Sequence, residues 1–233
     1  DTDWKDPFGG NNGKNQARIV PGGPVQVYAP GFRNPYDLVV TEAGRMYTID
    51  NGPNAGWGDM PFGEGPGGTC TNAQMDNGPT HKDGLHYITG PGFYGGHPNP
   101  VRASTANTFN LTNPQSPVVS GNPVECDYRQ PGFGDGSLFI FNKSTNGLVE
   151  YTATNFGGQM TGDLLTASFD NQIWRIELNA AGTATASVTP LFSSVSATGN
   201  QPLDVTANGP LDPFPGSVWV ADYGASDIVV YEA

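Results

Sequence analysis

Basic residues are scarce in this sequence of 233 residues. Ten lysines and arginines stand against 22 aspartates and glutamates, so the formal net charge at pH 7 is −12. A chain with this balance is repelled by the phosphate backbone of nucleic acids and by anionic membrane surfaces. The composition therefore argues against nucleic acid as a partner. Divalent cations and neutral sugars suit an acidic surface, and so does a requirement for solubility alone.

Long apolar runs are also missing. No stretch approaches the roughly 20 consecutive apolar residues that a helix needs to span a bilayer, so we expect no membrane span. The sequence starts at Asp1, without a methionine or an apolar signal segment. This start indicates a mature or excised piece of a protein.

Cysteine occurs only twice, as Cys70 and Cys126. Both lie in the most irregular stretches of the chain. A disulfide between them is our preferred interpretation, and two free thiols are the alternative. On the chain-entropy account such a bond would stabilise the fold by roughly 4 kcal/mol. Because disulfides persist in oxidising compartments, we expect an extracellular or periplasmic protein.

Uninterrupted windows of helical length are absent as well. The chain contains 33 glycines and 21 prolines, which interrupt nearly every such window, and no segment shows sustained apolar spacing of three and four residues. Aromatic residues make up 11% of the chain, which argues against disorder. The sequence therefore predicts an all-β fold of short strands and many turns.

What the chain does contain is a series of strand-like runs in three groups, separated by turn residues. The predicted strands are 38–40, 46–49, 85–89 and 137–141 in the first group, 148–153, 163–168, 172–178 and 187–192 in the second, and 203–207, 217–221 and 227–231 in the third. An isolated run at 25–28 precedes them. Within 172–178, the alternation places Trp174, Ile176 and Leu178 on one face.

The groups repeat one another in sequence. GRMYTID at 44–50 recurs as GSVWVAD at 216–222, with a weaker copy GDLLTAS at 162–168, and PYDLV at 35–39 recurs as PLDV at 202–205. Four-stranded units at a period of roughly 45 to 55 residues are typical of β-propeller blades. The sequence thus predicts about three blades in residues 24–233. A polar arm or linker precedes them at 1–23, and two long Gly/Pro-rich insertions interrupt them, one at 51–84 and one that follows the run 92–100 and ends at 136.

Three blades are fewer than a propeller needs, because these folds typically close with about four to eight. Three blades alone would leave two apolar faces exposed. We therefore expect the ring to be completed by a missing N-terminal half, by a partner chain or by a second copy. A homodimer of three plus three blades is one hypothesis.

Several short motifs follow one another in a defined order: GFRNP at 31–35, DNGPN at 50–54, YGGHP at 94–98, STNGL at 144–148, and GDLL at 162–165 leading to WRI at 174–176. In this order they resemble the soluble sugar dehydrogenases that depend on pyrroloquinoline quinone (PQQ), the glucose/sorbosone dehydrogenase-like six-bladed propellers. The similarity runs from about residue 25 onward and corresponds to the C-terminal half of that fold. It implies a secreted oxidoreductase that oxidises an aldose.

The resemblance also implies a cofactor site. Arg33 and Asn34 would contact the quinone, and the backbone carbonyls of Gly52 and Pro53 would bind a calcium ion with Asp50 beside them. Calcium accepts about six to eight oxygen ligands, backbone carbonyls included, and would polarise the quinone toward accepting hydride from a sugar C–H. A capping role or a structural ion pair between blades is the alternative for Arg33.

The sequence departs from the family at two places that carry cations there. Asp170 stands where the family has a lysine, and Gln201 stands where it has arginines. PQQ carries three carboxylates, which cationic side chains would bind through charge-assisted hydrogen bonds. Each such bond that is lost removes about 1.5–3 kcal/mol of binding free energy. The family's catalytic histidine has no counterpart in this chain either, so no catalytic residue is assigned.

A non-catalytic carbohydrate-binding or adhesion module is a second interpretation. It would bind saccharide through loop aromatics such as Trp57 and Tyr94, with His97 in the same run. Those rings could equally fasten the insertions to the blades. His97 is also one of three histidines, with His81 and His86, that could gather a metal ion, although their spacing matches no recognised ligand signature.

A calcium-dependent propeller hydrolase is a third interpretation. No Ser-His-Asp motif or nucleophile elbow occurs in the sequence, so such an enzyme would need a calcium ion rather than a covalent nucleophile. Asp50, Asn51 and Asn54 are the carboxylate and amide groups available for it.

Overall fold

Eleven β-strands in three antiparallel sheets make up the part of the chain that the structure describes. The computed structural model describes residues 28–29, 32, 34–52, 83–91, 93, 137–142, 144–191 and 201–233. Within these ranges the helical content is a single 3-10 turn, Phe156–Gly158. None of the described residues forms a helix that is long and apolar enough to cross a membrane. The predicted all-β class is confirmed.

Each sheet is built from strands that follow one another along the chain. The first sheet contains β1 (Pro35–Val40), β2 (Met46–Asp50), β3 (Asp83–Ile88) and β4 (Phe139–Phe141) in that order. The second sheet contains β5 (Thr145–Glu150), β6 (Leu164–Ser168), β7 (Gln172–Leu178) and β8 (Thr185–Leu191). The third sheet contains β9 (Pro202–Ala207), β10 (Val218–Asp222) and β11 (Asp227–Tyr231). This grouping of four, four and three strands is the one that the sequence predicts, and it is consistent with part of a β-propeller.

The turn between β1 and β2 shows why the sequence punctuates its strands with glycine. Gly44 adopts a φ of 73°, a left-handed conformation that residues with a Cβ rarely adopt. Its N–H donates to Thr41 O at 2.8 Å, and Thr41 N–H donates to Arg45 O at 2.8 Å. The chain therefore turns at residues 42–44, between the predicted strands 38–40 and 46–49.

The second sheet lies between the other two, and an apolar cluster fills each interface. Successive residues of a strand point to opposite faces, so β6 and β7 contribute to both clusters. Toward the first sheet, the buried residues are Tyr47, Ile49, Leu85, Phe141, Leu148, Leu164 and Ile176. Toward the third sheet, they are Tyr151, Ala153, Met160, Leu165, Ala167, Ile173, Val205, Val218 and Val220. Burial of these side chains holds the three sheets in one stack.

The first strands of the three sheets lie side by side, because β5 packs against both β1 and β9. Close approach at this point requires a glycine. A Cβ built on Gly147 of β5 would lie 2.6 Å from Val205 N and 2.8 Å from Asp204 Cα of β9. The backbones of β5 and β9 therefore approach more closely than any residue with a side chain permits.

Two buried tyrosines connect neighbouring sheets by hydrogen bonds. These bonds lie at the end of the stack where the first strands β1, β5 and β9 end. Tyr47 of the first sheet donates its hydroxyl to Gly182 O, in the turn between β7 and β8, at 2.8 Å. Tyr151, which follows β5, donates to Gly216 O, in the connection between β9 and β10, at 2.8 Å. The same device thus links the first sheet to the second and the second sheet to the third.

Removal of one of these hydroxyls should weaken the stack. We expect Tyr151→Phe to lower the free energy of unfolding by about 1–2 kcal/mol, because the buried Gly216 carbonyl loses its partner while the ring keeps its packing. Urea denaturation followed by circular dichroism measures this. Tyr223→Phe, at a tyrosine that is largely exposed, is the control and should leave the midpoint unchanged; an equal loss in both variants would contradict the assignment.

The predicted strand boundaries differ most from the structure at β5. The predicted strand is 148–153, whereas β5 spans Thr145–Glu150. The pairing of β5 with β6 shifts register between Thr145 and Leu148. The residues at this shift, Asn146 and Gly147, form a pair that is typical of turns, yet here they belong to the strand. Thr145 is fixed there because its hydroxyl donates to Ser168 Oγ at 3.0 Å.

The chain divides into two compact units. All eleven strands belong to the unit formed by Arg33–Asn54, Pro79–Thr89 and Gly136–Ala233, and the other unit is formed by Asp1–Phe32, Ala55–Gly78 and Gly90–Asp135. In the latter, the rings of Phe32 and Phe93 stack at a centroid distance of 6.1 Å. The predicted arm at 1–23, the run at 25–27 and most of both insertions lie outside the described residues, and Tyr28 lies in a bend.

Candidate functional site

One edge of the three sheets is lined with polar groups. Here the second strands β2, β6 and β10 end and the first strands β1, β5 and β9 begin. One backbone hydrogen bond closes each sheet in the same way: Asn51 N–H donates to Asn34 O (3.2 Å), Phe169 N–H to Ser144 O (2.8 Å) and Tyr223 N–H to Gln201 O (3.0 Å). We call this region the polar edge; it comprises Asn34, residues 50–52, Asp83, Ser144, Thr145, residues 168–170, Gln201 and residues 222–225.

Two aspartates occupy equivalent positions in the first and third sheets. Asp50 Oδ1 accepts a hydrogen bond from Asn34 N–H at 2.7 Å, and Asp222 Oδ1 accepts one from Gln201 N–H at 3.3 Å. They are the last residues of the repeated GRMYTID and GSVWVAD stretches. The repeat predicted from the letters is therefore present in the structure, and one oxygen of each carboxylate fixes the start of a first strand.

A chain of side-chain amides joins the first sheet to the second. Asn34 Nδ2 donates to Asn51 Oδ1 at 2.9 Å, and Asn51 Nδ2 donates to Thr145 O at 2.6 Å. Asn51 is buried, whereas Asn34 is exposed. The order of donors and acceptors fixes the orientation of both amides: Asn34 donates through Nδ2, whereas Asn51 accepts through Oδ1 and donates through Nδ2.

Asp83, the first residue of β3, is buried within the polar edge and bridges two sheets. Its Oδ1 accepts Gly52 N–H at 3.0 Å and its Oδ2 accepts Thr145 N–H at 2.6 Å. Burial raises the pKa of Asp83 to about 7; the hydrogen bonds from Thr145, Gly52 and Asn51 oppose the rise, and the charge of Asp50 adds to it. This carboxyl therefore changes its charge near neutral pH while it holds the first sheet to the second.

Farther along the first strands lies a second pair of carboxylates. Asp37 of β1 accepts Leu148 N–H at 2.9 Å through Oδ2, and Asp204 of β9 accepts Val205 N–H at 2.9 Å through Oδ1. Burial raises the pKa of Asp204, the bond from Val205 opposes this, and the negative charge of Asp37 adds to the rise. The equivalent position in β5 is Gly147, which leaves room for the Asp204 carboxylate.

An aromatic pair projects from the polar edge. Phe169, after β6, and Tyr223, after β10, stack at a centroid distance of 6.2 Å with their ring planes 9° apart. Tyr223 is 65% exposed, so one ring is available to a ligand. Beside them, Asp170 has a buried Oδ1 without a hydrogen-bond partner among the described residues. An exposed aromatic ring next to carboxylate and amide acceptors is a combination that suits a polar ligand with an apolar face.

The structure brings together three of the residues that the sequence predicts for the site. Asn34, Asp50 and Gly52 all lie on the polar edge. Seven of the predicted residues lie outside the described part of the chain: Arg33, Pro53, Trp57, Tyr94, His97, Cys70 and Cys126. Their roles as quinone, calcium and saccharide contacts and as a disulfide pair stay predictions. Of the histidines, His86 lies buried in β3, and His81 and His97 are outside the described ranges.

The residues present fit PQQ poorly. Asn34, predicted to contact the quinone, uses its amide N–H to hold Asn51. Asp170 and Gln201, which stand where the resemblance implies cations, both lie on the polar edge. A tricarboxylate would meet an anion and a neutral amide there instead of charge-assisted donors.

Calcium ligation by side-chain carboxylates has little support either. In the ranges that the structure describes, no group of three or more His, Cys, Asp or Glu side chains is arranged to hold a metal ion. Both oxygens of Asp83 are engaged by backbone N–H groups. Within the described ranges, a calcium site would therefore depend on backbone carbonyls such as that of Gly52; the other predicted carbonyl ligand, Pro53, lies outside them.

Sequence reasoning missed the residues that organise this edge, Asp83 and Thr145 above all. Asp83 was visible only as one of several acidic residues near an insertion, because nothing in its local sequence indicates partners so far along the chain. Asp37 and Asp204 carried a usable signal, since both stand third in the repeated PYDLV and PLDV stretches. A polar residue that recurs at one position of a repeat indicates a shared structural role.

A search against protein-family models finds no match for this chain, and no curated protein matches it. The functional assignment therefore depends on the residues themselves.

Proposed function

We propose that this chain is a saccharide-binding protein and that the polar edge is its binding site. The observation that carries the proposal is the exposed ring of Tyr223, which stacks on Phe169. Asp222 and Asp170 adjoin the two rings in sequence and supply carboxylates. Sugars present an apolar C–H face beside a rim of hydroxyl donors. An aromatic platform with adjacent acceptors matches both features.

The proposal includes a six-bladed type of β-propeller. It is supported by the resemblance of the sequence motifs to those of sugar dehydrogenases, by three sheets of consecutive antiparallel strands and by the side-by-side arrangement of their first strands. In such a ring the polar edges of successive sheets surround a common axis, and the turns after the second strands form the mouth of the site. We further propose an extracellular or periplasmic location, in keeping with the disulfide that the sequence predicts between Cys70 and Cys126.

We place binding ahead of quinone-dependent oxidation. The resemblance favours oxidation of an aldose, but the charge at Asp170 and the neutral Gln201 oppose a tricarboxylate cofactor. Binding through the ring of Tyr223 and the neighbouring acceptors needs no redox cofactor. A calcium-dependent hydrolase has less support still, because Asp50 is engaged by Asn34.

The proposal predicts that Tyr223→Ala weakens saccharide binding at least about tenfold, a loss of about 1.4 kcal/mol, because the stacking platform is removed. A glycan array with the full chain identifies the ligand, and titration calorimetry with the best hit measures the affinity of the wild type and of the variant. The titrations are run with calcium and with a chelator, and with PQQ and a reducible dye in a separate arm.

Leu211→Ala is the matched control. Leu211 is 96% exposed in the connection between β9 and β10, at the end of the strands away from the polar edge, so its loss should leave the affinity unchanged. Dye reduction that requires PQQ would replace the binding proposal with the dehydrogenase. Absence of binding to any glycan at millimolar concentration would overturn the saccharide proposal altogether.

A further inference from the structure

Both ends of the sheet stack expose apolar side chains at positions that the other sheets bury. We define the front face of a sheet as the one directed toward the next sheet along the chain, and the back face as the opposite one. The front face of the first sheet packs on the back face of the second, and the front face of the second packs on the back face of the third. Among the described residues, no sheet covers the back of the first or the front of the third.

The front face of the third sheet carries Ile228 in β11. Its equivalents in β3 and β7 are Leu85 and Ile173. Each of the three pairs with the penultimate residue of its second strand: Leu85 with Ile49, Ile173 with Ala167, and Ile228 with Ala221. Leu85 and Ile173 are 0% and 3% exposed, whereas Ile228 is 66% exposed. Ile228 is thus an exposed apolar residue at a position that a neighbouring sheet buries in the other two sheets.

The back face of the first sheet, at the other end of the stack, also exposes apolar residues. Asp37, Gly147 and Asp204 occupy equivalent positions in the first strands. The residues that follow them are therefore equivalent too: Leu38 of β1, Leu148 of β5 and Val205 of β9. Leu148 and Val205 are 3% and 2% exposed, whereas Leu38 is 53% exposed. Val40, two residues farther along the same face, is 58% exposed. The first sheet thus has the back face of a sheet that another sheet precedes.

We propose that a second copy of this chain covers both faces. The front of the third sheet of each copy packs on the back of the first sheet of the other, so a twofold axis relates the copies and six sheets close into a ring. Each copy already contains two contacts between a front face and a back face, one on either side of its second sheet. The contact between copies would be of the same kind. Apolar patches of this kind on a soluble protein mark interaction surfaces, and twofold homodimers are the commonest closed assemblies.

This arrangement has a consequence for the polar edge. A twofold axis that coincides with the central axis of the ring places both polar edges on the same side of the dimer, around that axis. The site would then be built from six turns, three from each copy. The inference does not depend on the identity of the ligand, so it stands or falls independently of the saccharide proposal.

Sedimentation equilibrium of the full chain tests the dimer. The wild type should sediment with twice the mass of one chain at micromolar concentrations. Leu38→Asp and Ile228→Asp should each halve that mass without changing the circular dichroism spectrum, and Ala186→Asp on the exposed side of β8 should leave it unchanged. Should either aspartate variant lose its spectrum, Leu38→Ser and Ile228→Ser give the same comparison with a smaller perturbation.

Mixing the two variants distinguishes front-to-back packing from packing of like faces. The Leu38→Asp chain retains an intact front face and the Ile228→Asp chain an intact back face, so their mixture should recover part of the dimer. A wild type that is monomeric at every concentration overturns the proposal and would assign the two faces to other sheets or to a different partner. A dimer that survives Leu38→Asp, or a mixture that recovers none, overturns it as well.

Discussion

Gly147→Ala should destabilise the protein by about 3 kcal/mol, at the upper end of the range for overpacking a core. The added Cβ would lie 2.0 Å from Asp204 Oδ1, 2.6 Å from Val205 N and 2.8 Å from Asp204 Cα. The carboxylate can rotate away, but the two backbone atoms belong to β9 and can move only if β5 and β9 separate. We expect a lower urea midpoint and faster amide exchange in the third sheet.

Gly209→Ala is the matched control for this prediction. The nearest atoms to a Cβ at Gly209 would all be side-chain atoms: Asp212 Oδ2 and Thr152 Oγ1 at 3.2 Å, and Asp212 Cγ at 3.9 Å. These oxygens can shift by a few tenths of an ångström, so the midpoint should change little. Equal midpoints for Gly147→Ala and the wild type would show that the close approach of β5 and β9 does not constrain the fold.

The free energy of unfolding should fall as the pH rises from about 4 to about 7, and Asp83 should account for much of the fall. The pKa of Asp83 is about 7 in the folded state against 3.8 for the unperturbed carboxyl. The folded state therefore binds the proton more tightly, so the stabilisation is complete below pH 4 and is lost as the pH rises through 7. Since one pH unit corresponds to roughly 1.4 kcal/mol, the whole dependence is on the order of 4 kcal/mol.

Asp83→Asn tests this assignment, because the amide cannot ionise and the pH dependence should shrink between pH 4 and 7. Urea titrations at pH 4.5, 6 and 8 provide the measurement. A smaller slope of the same sign should persist in the variant, because burial also raises the pKa of Asp204. Asp227→Asn, at an exposed position, should reproduce the wild-type profile. An unchanged slope in Asp83→Asn would remove Asp83 as its source.

The strands could be predicted from the sequence because their signals are local. β7 spans Gln172–Leu178 as predicted, and its alternation is reproduced in the structure: Ile176 is buried against the first sheet, with Trp174 and Leu178 packed beside it. The repeat of residues 44–50 at 216–222 correctly paired the positions of Asp50 and Asp222. The predicted start of β5 was wrong because an Asn-Gly pair favours a turn unless the neighbouring strands impose another geometry.

The site could be predicted only in part, for the same physical reason. Asn34 and Asp50 stand in recognisable motifs beside strand ends, and the structure places them on one edge. Asp83 acquires its role from Gly52 and Thr145, which are 31 and 62 residues away. Contacts at such separations leave no local pattern in the sequence, and the raised pKa arises from burial that only the folded chain creates.

The position of β11 also bears on how the chain behaves at high concentration. Within the described residues it forms an edge of the third sheet, and its apolar run IVVY at 228–231 lies between Asp227 and Glu232. Short β-prone runs at open edges can start fibrillar self-assembly, and flanking charges act as gatekeepers against it. Two exposed carboxylates that add nothing to the core therefore protect the chain from aggregation, and replacing both by neutral residues should make it aggregate more readily.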